Sequence, residues 1–481
     1  MKICFSRFGA LLSAISLASA VVSAPVAAAE NYTAASGWGT FKRPFAADSP
    51  WNSRPVYPVL GTAIVKKPLY NPTWIPSVSA GALSLTVFMA KAGDPPITIY
   101  GKTGTSGVAD PDTGYYRTIN LPRWPASVVP ANGGDGHADI VDTVSGVIHS
   151  FYQLKNTNGK WTASMYSWSR LDGSGFGNGA HWSQGARASG APSMAGIIRK
   201  HEIDDGMPYY THALAMTLPQ HTLANGISHP SYVAPATSTD NYASYNTGTI
   251  PMGALMMLPA GFDTNSLSSP KLRKIASTLK LWGAYVVDSN FDTAYGIHVE
   301  SGAGFTLMPG GRWDTNVVAD LEKIRAALRQ VVSVSGWVNG NAVNYYKEPA
   351  QDTLSMRGTW MLATGGKGPG SFDTWQQSVV FPHTTTKISQ VNYNNEISKV
   401  GWAKPVAGKR MRFSSVSSGG ATIRLQVRVG GKVVVDSGYL GDGSATVFNW
   451  PSAAASNVAV TLLAESGVNT ASRTRGVLTF D

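Results

Sequence analysis

No cysteine follows Cys4 in this 481-residue chain, so the fold must rest on packed apolar cores with no disulfide staples. The same fact removes thiol catalysis and thiolate metal ligation from the chemistry open to the rest of the chain. Cys4 itself lies in a segment that reads as a signal peptide. Lys2 and Arg7 make a short basic region, residues 8–22 an apolar run, and Ala27-Ala28-Ala29 the small residues a signal peptidase needs, with Glu30 as the expected mature start. The expected address is secreted or periplasmic. The apolar run is too short and too rich in Ser to span a bilayer, and no later stretch is long enough, so no membrane span is expected.

Only 14% of residues are charged, while Gly (51), Trp (14) and Tyr (19) are plentiful. That balance suits a β-rich protein with many turns and excludes coiled coil and disorder. The formal net charge is +11, and loss of Lys2 and Arg7 would leave +9. A basic exported body favours an anionic polysaccharide as partner. No block of Lys and Arg, and no basic stripe interleaved with aromatics, points to nucleic acid, which is not an expected partner. The oligomeric state is not legible in the sequence.

Three segments are expected: a signal peptide at 1–29, a β-rich main domain at 30–335 of catalytic type, and a β-sandwich accessory domain at 340–481. In the main domain, strand-like runs at 83–89, 97–100, 140–151, 161–166, 211–218 and 254–258 alternate with Gly, Pro, Asp and Asn clusters. The Gly-rich stretch 172–190 is the longest irregular segment, and its Trp and His favour a functional loop. Two short helices break the β pattern. Ser269-Pro270 is a cap and first-turn pair ahead of Leu272, Ile275, Leu279 and Trp282 at helical spacing. Thr315 opens the second, with Val318, Leu321, Ile324 and Leu328 on one face. Residues 284–287 read as a buried strand.

Beyond Val334 helix signals vanish. Strict alternation over 422–429, Gly430-Gly431 and then 432–436 predict a hairpin. The fold class expected is therefore mainly β: a sandwich or jelly-roll-like N-terminal domain with two short helices, plus a C-terminal sandwich. Trp360, Trp375, Tyr393, Trp402, Tyr439 and Trp450 are candidates for stacking on sugar rings, although most such aromatics belong in sandwich interiors.

Familiar motifs fail on context. Gly175-Phe176-Gly177-Asn178-Gly179-Ala180 matches a dinucleotide fingerprint by letter but follows a turn rather than a strand. His201-Glu202 starts like a zincin helix, but Asp205 stands where the second His belongs, and Gly206 and Pro208 prevent the helix. Asp110-Pro111-Asp112 lacks the Gly and Glu of a calcium loop, so no cofactor is expected; Ca²⁺ would be compatible with the carboxylates, without a motif to hold it. Neither a Gly-x-Ser-x-Gly elbow nor a phosphate-binding loop exists.

Several segments, taken in order, carry a resemblance. They are Asp48-Ser49-Pro50-Trp51-Asn52, then Gly134-Asp135-Gly136-His137 with Asp142, then 183–192 around Arg187. Ile198-Arg199 with Glu202, Gly206 and His212-Ala213-Leu214 follows, then 232–236, 283–288 ending in Asp288, and Arg312-Trp313-Asp314. Across residues 45–330 this series resembles a broad group of secreted bacterial proteins. The resemblance implies export and a shared fold, and supplies no reaction.

Polar residues at strand ends and loops within those segments are the site candidates. His137 and His212 are acid/base candidates at neutral pH. Arg187 and Arg199 can grip a carboxylate, and Tyr210 lies beside His212. Asp135, Asp142, Glu202 and Asp288 supply carboxylates, and His181 and Trp182 sit in the Gly-rich loop as substrate-binding candidates. Each has a structural alternative: a buried hydrogen-bonded His, a turn-forming Asp142, an Arg199–Glu202 pair.

Three functions follow. The first is a polysaccharide lyase, in which Arg187 or Arg199 with His137 neutralises a uronate while His212 and Tyr210 move protons. The second is a glycoside hydrolase using two of the four carboxylates. The third is a non-catalytic protein that binds glycan at the cell envelope.

Overall fold

The computed structural model describes residues 37–67, 76–79, 85–112, 114–291, 293–307, 314–346, 352–392, 397 and 400–481. The signal-peptide segment with Cys4, the first two residues of the 83–89 run, Arg312-Trp313 and Tyr393 lie outside them. Among the described residues the chain is mainly β, with two α-helices.

The main body is a stack of sheets. Its seven-stranded sheet runs in the order Val59–Ile64, Arg329–Ser333, Leu255–Met257, Ala284–Asn290, Leu214–Pro219, Gly296–His298 and Ser77–Ser79. Alternation along the central pair decides its two faces. Leu214, Met216 and Val286 point to one side, where they meet Leu272, Ile275 and Leu279 of helix α1 (Pro270–Leu281) and Leu321 and Ile324 of helix α2 (Thr315–Ala327). Ala215, Tyr285 and Val287 point to the other, against Val87, Val141 and Ile148 of a six-stranded sheet. That second sheet buries Ile140, Val147 and Phe151 on its far face, against Ile99, Leu121 and Trp161 of a four-stranded sheet.

Both helices form where the sequence predicts, the first from its Ser269-Pro270 cap and the second from Thr315. The Ser269 side chain accepts the Leu272 N–H with Pro270 in the first turn, and Asp314 accepts the N–H groups of Asn316 and Val317. The 140–151 run splits into Ala138–Asp142 and Val147–Tyr152, because the Asp142 carboxylate accepts the Val144 and Ser145 N–H groups and so folds a turn. The 161–166 run splits too, with Lys160–Ala163 and Met165–Arg170 joining different sheets.

Trp51 holds the main body's centre. Its ring stacks on Phe176 at 4.8 Å and 4°, meets Tyr285 edge-on at 5.4 Å, and donates from Nε1 to the Gly175 carbonyl at 2.9 Å. Glycine is required on both sides of it. A Cβ on Gly196 would lie 2.2 Å from Cζ3 of Trp51, and one on Gly175 2.6 Å from its Cδ1, and both glycines have positive φ.

The C-terminal body is a β-sandwich. Two five-stranded antiparallel sheets face each other across Ile423, Leu425, Val427 and Leu462 from one and Phe381, Met411, Phe413 and Leu478 from the other. The Gly430-Gly431 hairpin forms as its sequence predicts: Val429 pairs with Lys432, and both glycines have positive φ. The changeover between bodies falls later than 335–340, since Gly336–Val338 and Asn344–Tyr345 extend a small sheet with Arg54–Val56 of the main body.

Aromatics of the second body divide between core, junction and surface, with Tyr439 exposed beneath the Arg424 guanidinium. Trp360 and Trp450 are buried in its core. Trp375, although partly exposed, meets Trp168 at a tilt (4.6 Å) and His149 edge-on (5.9 Å), both of the main body. Trp402 donates to the Ala236 carbonyl at 2.8 Å, and beside it the Gly401 N–H reaches the Tyr232 hydroxyl at 2.9 Å.

Trp51→Ala removes a ring that three segments share and should cost about 3–5 kcal/mol of folding stability. Urea unfolding checks this, and an unchanged midpoint would show that the aromatic cluster is not what joins those segments.

Candidate functional site

Chemistry-bearing side chains converge where strand ends from two sheets meet. Asp135 and His137 lead into Ala138–Asp142. Its antiparallel partner, in register Phe151 with Ala138, delivers Tyr152 beside His137, with ring centres 5.5 Å apart. From the other sheet comes the end of Ala284–Asn290. Here the ladder with Leu214–Pro219 slips: Met216 pairs with Val286, but Thr217 pairs with Asp288. The extra residue, Val287, is a bulge immediately before Asp288, a device that re-aims the following side chain. The Val287 carbonyl accepts the Ser189 N–H at 3.1 Å and so ties the Gly-rich loop, two residues after Arg187, to the same strand end.

Arg187 is buried, with Nη2 donating to the Ser193 carbonyl at 2.8 Å and Nε lacking a partner among the described residues. Burial pulls its pKa down to about 10, against the opposing pull of Asp288 and Asp139. It therefore stays charged at neutral pH, as the buried cation among carboxylates. Asp139, fully buried, accepts the Met194 N–H at 2.7 Å, and burial lifts it to about 6. Asp288 is pushed up to about 8, first by burial and then by Asp240, with Asp135 adding to the rise and Arg187 opposing it. Burial and the charge of Asp135 lift Asp240 as well, while Ser289 holds it back. Like charges crowded together cannot all ionise, so a proton is retained among these carboxylates near neutral pH.

His137 is neutral in this setting. Burial, and then Arg187, push it down to about 3, and its Nδ1 lies 3.3 Å from the Ser193 hydroxyl. His298 is held far below its usual range by the same burial and by Arg187 and His137. On the open side Asp135 is exposed and receives the Tyr152 hydroxyl at 3.3 Å.

The structure thus brings His137, Arg187, Asp288 and Asp135 together, and it takes the other candidates elsewhere. His212, Glu202 and Arg199 form a separate network. His212 Nε2 faces Glu202 at 3.1 Å and its Nδ1 faces the Ala213 carbonyl at 2.9 Å. Although burial opposes it, this carboxylate raises the His212 pKa. Arg199 donates to Glu300 (2.8 Å) and to the Phe41 carbonyl (3.1 Å). The cavity these residues line, with Trp38 and Arg43, has a volume of about 40 Å³, room for a water or two and not for a sugar.

Tyr210 is buried under the Lys274 ammonium, 4.6 Å from the ring centre, and its N–H is taken by Thr278. It stands with His212 and not with His137. Asp142 is held by Arg123 through three contacts of 2.7–3.0 Å and caps its own turn, so its role is structural. His181 is packed on Trp168 at 4.6 Å and lies 3.5 Å from Asp112, whose carboxylate also receives Gln377 of the C-terminal body. Trp182 lies beneath the Arg357 guanidinium at 3.9 Å. Both residues serve the junction between the two bodies.

Asp240, Tyr152, Asp139 and Ser289 belong to the cluster and escape sequence reading. Asp240 lies in a Ser- and Thr-rich stretch whose composition says only loop. Asp139 does carry a signal, a carboxylate inside an otherwise apolar strand run. Among the described residues no group of three His, Cys, Asp or Glu side chains is arranged to hold a metal ion, and no helix is long and apolar enough to cross a membrane.

No protein-family model matches the chain, and no curated protein matches it. Solved structures similar to parts of it include a CBM4 module, 17% identical, covering 25% of this chain and 94% of that one with a TM-score of 0.16. Another is the accessory secretory protein 1, 2 and 3 of Streptococcus pneumoniae (8% identical, 22% and 85% covered, TM-score 0.13). A third is a CBM61 in complex with β-1,4-galactotriose (13% identical, 27% and 83% covered, TM-score 0.15).

Asp288 makes a stability prediction with a definite sign. Its pKa is higher in the folded than in the unfolded chain, so its contribution is complete below about pH 4 and is lost as pH rises through about 8. Asp288→Asn, which mimics the protonated side chain, should raise the thermal midpoint above about pH 8 by roughly 2–4 °C and leave it unchanged near pH 4. Equal shifts at both pH values would show that the carboxyl is not protonated in the fold.

Proposed function

We propose that this protein hydrolyses glycosidic bonds in a neutral polysaccharide. Asp288 acts as the general acid, held protonated by burial and then by the charge of Asp240, and the exposed Asp135 acts as the base that activates water. The observation that carries this reading is the grouping of Asp135, Asp240 and Asp288 from separate loops and strand ends, with the buried Arg187 facing Asp288 and with Asp288 pushed up to about 8. Environments that drive neighbouring carboxyls apart in pKa separate an acid from a base.

Charge favours hydrolysis over β-elimination. A uronate would enter beside Asp135, Asp240 and Asp288, while His137 is neutral and Arg187 already faces Asp288 and Asp139. The proton-moving pair expected for a lyase, His212 with Tyr210, stands in the other network.

Neutral and uronate polysaccharides incubated with the full chain test this directly. New reducing ends without unsaturated products are expected. Unsaturated uronates would establish elimination, and retention on a polymer without any product would leave a binding protein. Asp288→Asn and Asp135→Asn should each lower kcat about 10²–10⁴-fold. The alkaline limb of the pH profile should fall near 8 and move to lower pH in Asp240→Asn, because removing that charge lets Asp288 ionise more easily.

Export belongs to the same reading, on the strength of residues 1–29. Expression in a bacterium with a signal peptidase should yield an exported product beginning at Glu30, as read by N-terminal sequencing; an uncleaved product retained in the cell would refute it.

A further inference from the structure

Beside the aspartate cluster stand two large aromatic side chains that the main body leaves in solvent. Tyr242 is 37% exposed and Phe291 51%, and their ring centres lie 6.0 Å apart at 35°. They come from unrelated segments. Tyr242 follows Asp240 by two residues in a loop, and Phe291 follows Asp288 by three, directly past the end of Ala284–Asn290.

Both are held in place by polar groups of that strand end. Ser289 lies beside both the Tyr242 hydroxyl and Asp240 and opposes the rise in their pKa values. Asn290 donates from Nδ2 to the Thr217 hydroxyl at 2.9 Å and accepts the Thr293 N–H at 3.3 Å, which ties the chain at positions 290 and 293. Behind the loop, Trp402 and Gly401 of the C-terminal body hold Ala236 and Tyr232.

We infer that Tyr242 and Phe291 form a stacking platform for one neutral hexopyranose ring, a subsite next to Asp288. The inference rests on the glycan-cleaving reading for its choice of ligand. A pyranose presents a face of C–H groups that packs on an aromatic ring, while its hydroxyls remain free to meet the aspartates at the edge. Tilted rather than parallel rings make a shallow cradle for a chair-shaped ring. The neighbouring carboxylates select against an acidic sugar on the same platform.

Affinity electrophoresis of the full-length chain through gels containing soluble cellulose derivative, xylan, mannan or β-1,4-galactan tests it, with Asp288→Asn as the parent to prevent digestion. At least one neutral polymer should retard the parent. Tyr242→Ala/Phe291→Ala, with an unchanged circular dichroism spectrum, should weaken that retardation about tenfold or more. Tyr242→Phe/Phe291→Tyr, which keeps both rings, should restore it. Undiminished retardation of the double alanine variant overturns the platform even if the wild type cleaves glycans. Retardation that depends on the two rings, without cleavage by the wild type, keeps the platform and removes the hydrolase. Failure of all four polymers to retard the parent overturns the platform, while the hydrolase stands or falls on product release by the wild type.

Discussion

The stacking of Trp51 between glycines is the contact on which the remaining geometry depends. Its ring joins three stretches distant in sequence: the Pro50–Asn52 turn, the Gly-rich loop through Phe176, and the central strand through Tyr285. Tyr285 lies three residues before Asp288, and the loop anchored by Phe176 goes on to carry Arg187. Packing in a core with no disulfides therefore sets the spacing of a cation and a carboxyl that sequence places about a hundred residues apart. Only glycine at 175 and 196 allows the approach.

A second constraint arises where that core meets solvent. Arg187 and Asp139 are buried in full and Asp288 in part, and one guanidinium cannot neutralise every carboxylate facing it. Burying an unpaired charge is costly, so the fold retains a proton instead. The bulge at Val287 is the structural means, since it breaks the alternation that would otherwise direct Asp288 with Ala284 and Val286 toward the helices. A stability cost at high pH and an acid available at neutral pH then have one origin. Similar compromises are common at functional sites.

Local chemistry was the legible part of this chain. The cap at Ser269-Pro270, the period-2 run at 422–429 and the paired glycines after it each act over a few residues, and each element formed where they predict. Splitting of 140–151 was less visible, because an apolar run looks continuous until the Asp142 carboxylate is seen to fold its turn. Site residues were legible in proportion to their neighbourhood. His137 and Asp288 stand at the ends of readable strands, whereas Asp240 is in the cluster only because its loop is tied to Ser289 and braced by Trp402. His212 and Glu202 look catalytic in sequence by residue type, yet they close on each other around a cavity that excludes a sugar. Spacing along a chain carries no information on such pairings between distant segments.

Infrared difference spectroscopy between the native chain and Asp288→Asn tests the retained proton most directly. A carboxylic-acid C=O band assigned to Asp288 should be present at neutral pH and disappear as pH rises through about 8. Absence of that band at neutral pH, with only the carboxylate signature in its place, would mean that Asp288 is ionised and cannot serve as the acid.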